Sequence, residues 1–126
     1  MPSNTTIRFG SASAVVATAN YRLPSSAAST NANVVKASKG TITGITGFNA
    51  NAAPRYLKLY DKATSPIVGT DTPVWMGIMP AQDSIAYILG LTFVNGIALA
   101  LTTGPEDADT GAVGAGEVVA LNIAYA

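Results

Sequence analysis

From Val34 onward the apolar residues of this chain tend to alternate with polar or small ones, and turn residues break the pattern about every ten positions. A period of two is the signature of a strand with one buried face, whereas a helix needs 3.6. In PRYLKLYD, Leu57 and Leu59 fall on one side and Tyr56, Lys58 and Tyr60 on the other. In GIALALTT, Ile97, Leu99 and Leu101 oppose Ala98 and Ala100. In EVVALNIAYA, Val119, Leu121, Ile123 and Tyr125 are expected inside, with Asn122 outside. Candidate strands cover 34–38, 41–48, 55–61, 73–79, 84–90, 91–95, 97–103 and 117–125. No long window carries a capped helical period, so helix is expected to be minor.

Two local features refine this pattern. In TITGITGF the apolar spacing is three (Ile42, Ile45, Phe48), which predicts glycine bulges at Gly44 and Gly47. Between Ile85 and Leu101 only Thr92 and Asn95 are polar, a stretch at the lower edge of membrane-spanning length. Asn95-Gly96 inside it is a strong hairpin signal, which predicts a two-residue turn with positive φ at both positions rather than a membrane span. Together the strands and turns predict an all-β fold: an antiparallel β-sandwich, jelly-roll-like, over residues 34–126.

Residues 1–33 differ. Strand-like fragments alternate there with small polar runs such as PSSAASTNAN, and no acid occurs before Asp61. This predicts either a first strand and loop of the same domain or an extended N-terminal arm that is ordered by docking, with Ile7, Phe9, Val15, Val16, Tyr21 and Leu23 as anchors and Arg8 and Arg22 as partners for acids. The start lacks a basic stretch leading into an apolar core, so no secretory signal is expected.

The chain has no histidine and no cysteine, which removes the usual neutral-pH base, thiolate and soft metal ligands. No enzyme activity and no cofactor are expected. Its charges are sorted by position. All seven bases precede residue 63, and six of the seven acids follow it, giving 7 − 1 = +6 and −6. Two oppositely charged halves suggest contacts between copies, a homo-oligomer with a trimer as the first expectation. Zero net charge argues against nucleic acid as partner. Tyr56, Lys58 and Tyr60, on one strand face, make an aromatic and cationic contact surface.

Three chemical alternatives can be set beside assembly. Glu106, Asp107, Asp109 and Glu117 are hard oxygen ligands that could hold calcium, although the EF-hand register fails at Ala108 and Thr110. Asp71, Asp83 and the acidic loop supply carboxylates for a hydrolase, without an aromatic cleft pattern around them. Trp75 with Tyr56 and Tyr60 could form a sugar-stacking platform.

Three runs carry a resemblance: VVKASKGTITGITGFN, RYLKLYDKATSPIVGTDTPV and FVNGIALALTTGPEDADTGAVGAGEVVALNIAY. They resemble small β-sandwich virion proteins of tailed bacteriophages. In that group a Tyr-Leu-Lys-Leu-Tyr-like strand precedes a proline-bearing loop and a strand beginning Thr-Pro-Val. A Phe-x-x-Gly-Ile-Ala segment and an acidic Thr/Gly-rich loop then lead into the last strand. The resemblance implies a decoration or cement protein on the virion exterior that binds the major capsid protein. It also admits head-fibre or tail parts, and the alternative reading is a carbohydrate-binding module or tail or fibre component used for adhesion to the host surface. It spans residues 34 to 125 and leaves the arm unmatched.

Overall fold

The computed structural model of the chain describes residues 15–126. Eight strands form: β1 (Ala19–Ser25), β2 (Asn33–Lys36), β3 (Gly40–Asn49), β4 (Arg55–Asp61), β5 (Trp75–Met79), β6 (Asp83–Phe93), β7 (Ile97–Thr102) and β8 (Val118–Tyr125). No helix forms among the described residues. β1 pairs with β8, β2 with β7, β3 with β6 and β4 with β5, all antiparallel, as in one long hairpin with the β4–β5 connection at its tip. Rolling that hairpin adds the β3–β8 and β4–β7 pairings. Two four-stranded sheets result, ordered β1-β8-β3-β6 and β2-β7-β4-β5. That strand order is a jelly roll, so the chain is the all-β sandwich its alternation predicts.

The core lies between the sheets. Ile42, Ile45, Phe93, Leu121 and Ile123 from the first sheet meet Leu57, Leu59, Ile97, Leu99 and Leu101 from the second. The spacing of three in β3 has the expected cause at Gly44, where the register against both β6 and β8 shifts. The second shift lies on the partner strand instead: Ala120, at φ 52, forms a bulge in β8 opposite Gly47. The bulge turns Val119 outward and places Val118 in the core, correcting the inward position expected for Val119. Phe48, opposite Val119, points outward with it.

The Asn95-Gly96 hairpin does not form. The two runs read as strands over 84–95 are one long strand as far as Phe93, β6, which lies in the first sheet while β7 lies in the second. Residues 94–96 therefore cross between sheets, and neither Asn95 nor Gly96 has positive φ. The Asp61 carboxylate, at the end of β4, accepts the backbone N–H groups of Val94 (3.1 Å), Asn95 (2.7 Å) and Gly96 (3.3 Å). Gly96 is required for space, not for backbone angle. A Cβ there would sit 2.6 Å from the Lys62 carbonyl oxygen and 2.8 Å from the Lys36 carbonyl oxygen.

The boundary at residue 34 also moves. β1, inside the segment read as an arm, is an edge strand of the first sheet, with Tyr21 opposite Ile123 and Leu23 opposite Leu121. Tyr21 and Leu23 pack against the core.

Two substitutions separate the crossover from a hairpin. Gly96→Ala should lower stability by roughly 1–3 kcal/mol, because backbone atoms must move to admit the methyl group. Asn95→Ala should stay within about 0.5 kcal/mol, since only its N–H is used. Urea unfolding measures both; a large loss at Asn95 would restore the tight turn.

Candidate functional site

The surface expected on β4 is covered. Lys58 and Tyr60 are buried at 0% and 1% exposure, and Tyr56 is half-buried. They project from the outer side of the second sheet beside Ala98, Ala100 and Thr102 of β7. Two connections from opposite ends of the sandwich lie over them: residues 62–74, between β4 and β5, and 103–117, between β7 and β8. These meet where Gly69, at φ 91, faces Thr110. A third segment closes the side, with the Leu101 N–H donating to the Thr30 carbonyl and the Val113 N–H to that of Ser29. Buried Ser26 donates from Oγ to the Gly114 carbonyl (2.8 Å) and accepts the Val118 N–H (3.1 Å).

Lys58 holds this cover. Its ammonium donates to the carbonyl oxygens of Glu106 (2.5 Å) and Asp109 (3.4 Å). Burial pushes its pKa below the ordinary lysine value, against the pull of the nearby Asp109, Asp107 and Glu106 carboxylates. The Tyr60 hydroxyl is buried without a hydrogen-bond partner, and burial, with Asp71 and Asp107 nearby, raises its pKa.

The four calcium candidates do not converge. Glu117 is drawn to Arg55 (2.7 Å) and the Asn51 side-chain amide (3.0 Å). Asp109 accepts the Gly111 N–H at 2.8 Å, and it is the Glu106 carbonyl, not its carboxylate, that Lys58 holds. Among the described residues no group of three or more His, Cys, Asp or Glu side chains is placed to hold a metal ion. The sugar platform does not assemble either. Trp75 lies at the core edge, edge-on to Tyr87 at 5.2 Å, on the face opposite to Tyr56 and Tyr60.

The segregation of charge along the sequence is used within one chain. Arg55 pairs with Glu117 and Lys62 with Asp71 (2.5 Å), while Lys58 is held by the acidic loop. Of the remaining contact candidates, Arg22 is exposed on β1, and the half-buried Tyr21 hydroxyl accepts from the Asn33 amide at 3.3 Å. Ile7, Arg8 and Phe9 lie outside the described residues.

Among the described residues, what remains open is the outer face of the first sheet, which sequence reasoning did not single out. Its outward positions are mostly small or neutral. Asn20 donates to Asn122 (3.1 Å), and the Thr41 and Thr92 hydroxyls meet at 3.1 Å. From β6 rises Ile88, 94% exposed. On one side of it lies a groove of 230 Å³ lined by Gly44, Thr46, Ala86, Asn122 and Ala124. On the other lies a groove of 590 Å³ lined by Val15, Thr41, Thr43, Gly90 and Thr92. The signal available in sequence was the run of Ser84, Ala86, Ile88, Gly90 and Thr92 alternating with the inward Ile85, Tyr87, Leu89, Leu91 and Phe93.

No protein-family model matches the chain, and no curated protein or solved structure is significantly similar to it.

Lys58→Met should cost about 1–3 kcal/mol and speed amide exchange across residues 103–111, because the loop carbonyls lose their donor. Tyr60→Phe, which removes an unpartnered hydroxyl, should leave stability equal or higher. Equal losses for the two would show that packing, not the ammonium, holds the cover.

Three carboxylates lie below their ordinary pKa: Asp61 through backbone N–H groups, Asn95 first; Asp71 through Lys62; Glu117 through Arg55. Their folded values sit under the unfolded ones, so the stability they give is complete above the unfolded range and is lost as pH falls through the folded values. The melting temperature should therefore hold from neutrality to about pH 5 and fall below about pH 4. Glu117→Gln should shrink that fall; an acid limb unchanged in this variant would exclude Glu117 as a contributor.

Proposed function

We propose that this chain is a non-enzymatic structural protein of a tailed-phage virion, a decoration or cement protein that binds the major capsid protein on the exterior of the head. The observation that carries it is the sequence resemblance of residues 34–125 to small virion β-sandwiches. A jelly roll with one face closed by its own loops and the other left open supports it. Jelly rolls occur in both viral capsid and lectin domains, so the fold alone does not choose between them. The separation of Trp75 from Tyr56 and Tyr60 removes the aromatic platform that favoured sugar binding, and attachment is the stronger role. The chain's low charge, 11% of residues, suits a part that is covered in use.

Purified chain added to phage heads assembled without it should co-sediment in fixed ratio to the major capsid protein. It should also raise the temperature at which the heads release DNA. No binding to heads, together with saturable binding to a host-surface glycan, would replace attachment with adhesion.

A further inference from the structure

We propose that the outer face of the first sheet, β1-β8-β3-β6, is the contact between two copies of this chain, related by a two-fold axis and keyed by Ile88. This deepens the reading of the chain as an assembling part, on which its biological use rests, by naming both the face and the partner.

Self-complementarity is the first ground. A two-fold contact uses the same patch on both copies, so knob and socket must lie on one face. Here Ile88, 94% exposed, stands between grooves of 230 Å³ and 590 Å³, both on that face. Turning one copy onto the other lets each Ile88 enter a groove of its partner at the same time.

Area is the second. Four strands about 4.8 Å apart make a face roughly 19 Å wide, and strands of this length at about 3.3 Å per residue run roughly 25–35 Å. That is on the order of 500 Å² per copy and 1,000 Å² for the pair, about the minimum for a specific interface and in the range of weak, reversible contacts.

The cost of desolvation is the third. Most of the polar side chains on this face are bonded sideways, Asn20 to Asn122, Thr41 to Thr92, Thr43 to the Ala124 carbonyl and Asn122 to the Ala120 carbonyl, while the Thr46 and Ser84 hydroxyls would need partners from the second copy. Covering them leaves few orphaned groups. Among the described residues, Arg22 on edge strand β1 and Asp83 at the start of edge strand β6 are exposed charged side chains at the rim, where they stay in water. The opposite side of the sandwich carries the exposed acids Glu106 and Asp107 and is closed by loops.

Sedimentation of the full chain across micromolar concentrations tests this. The expected result is a monomer–dimer equilibrium. Ile88→Lys, and separately Ala86→Arg beside the smaller groove, should each raise the dissociation constant at least about tenfold. Ile67→Lys, also exposed but on another surface, should leave it unchanged. All three positions are exposed, so unchanged circular dichroism and melting keep the comparison interpretable. A chain that stays monomeric throughout, one that forms trimers, or a dimer indifferent to both variants overturns the proposal. A chain that pairs only after residues 2–14 are deleted shows that its own N-terminal segment occupies the face, and that also overturns it. Binding of each variant to heads separates the two levels. Head binding lost in Ile88→Lys, by a chain that never pairs, gives the face to the capsid protein and overturns the pairing alone. Pairing that follows the variants, in a chain that never binds heads, upholds the pairing and removes the proposed function.

Discussion

An ammonium buried on the outside of a sheet settles which side of this sandwich is surface. Lys58 points away from the core, yet it is fully buried because two carbonyl oxygens of the β7–β8 connection accept its protons. A charge without those acceptors would be expensive to bury. With them, the acidic loop lies flat on the second sheet, and every residue of β7 is buried on one side or the other. The second sheet thus becomes the middle layer of the molecule. The first sheet has no such lysine and no such loop among the described residues, and these leave one of its faces open.

Charge segregation in the sequence follows from the same geometry. In a jelly roll the first half of the chain pairs with the second, strand against strand, so residues distant in sequence become neighbours. Bases early in the chain and acids late in it are therefore placed to meet within one molecule. Arg55 with Glu117 is such a meeting, whereas Lys62 and Asp71 pair locally within the β4–β5 connection. The topology thus gives part of this charge pattern a use within one chain. Partly exposed pairs of this kind add little stability each, and their value is in fixing where the connections lie.

The fold class was legible because alternation is a backbone property that survives any tertiary arrangement. Leu57 and Leu59, Ile97, Leu99 and Leu101, and the break at Gly44 all fell as their spacing required. What failed depended on partners. Asn95-Gly96 has hairpin chemistry, but Asp61, more than thirty positions upstream, binds its N–H groups and turns it into a crossover. Val119 lost its inward place to a bulge at Ala120, a residue with no glycine-like signal. Tyr56, Lys58 and Tyr60 were read as a contact surface for a partner because a polar lysine marks an outer face, as it does here, but an outer face can be roofed by the chain's own loops. Ala98 and Ala100 beside them held the clue, since side chains that small leave room for a loop to lie close.

The open face departs from what a water-facing sheet usually carries. Such a face is normally dressed with charged side chains, lysine above all, which keep it soluble and keep other strands away. Here β3, β6 and β8 present threonine, alanine, glycine, serine and asparagine outward, with Phe48, Ile88 and Val119 among them. A face of neutral groups that bond to one another is poorly defended against contact, and a chain with so few charges has little elsewhere to compensate. The β-bulges at Gly44 and Ala120 both lie beneath this face and increase its local twist. Twist of that kind makes a sheet selective, since a flat or differently twisted surface cannot lie against it over its whole width. The device that blocks indiscriminate stacking here is shape rather than charge, and shape is a restriction that a partner of matching twist escapes.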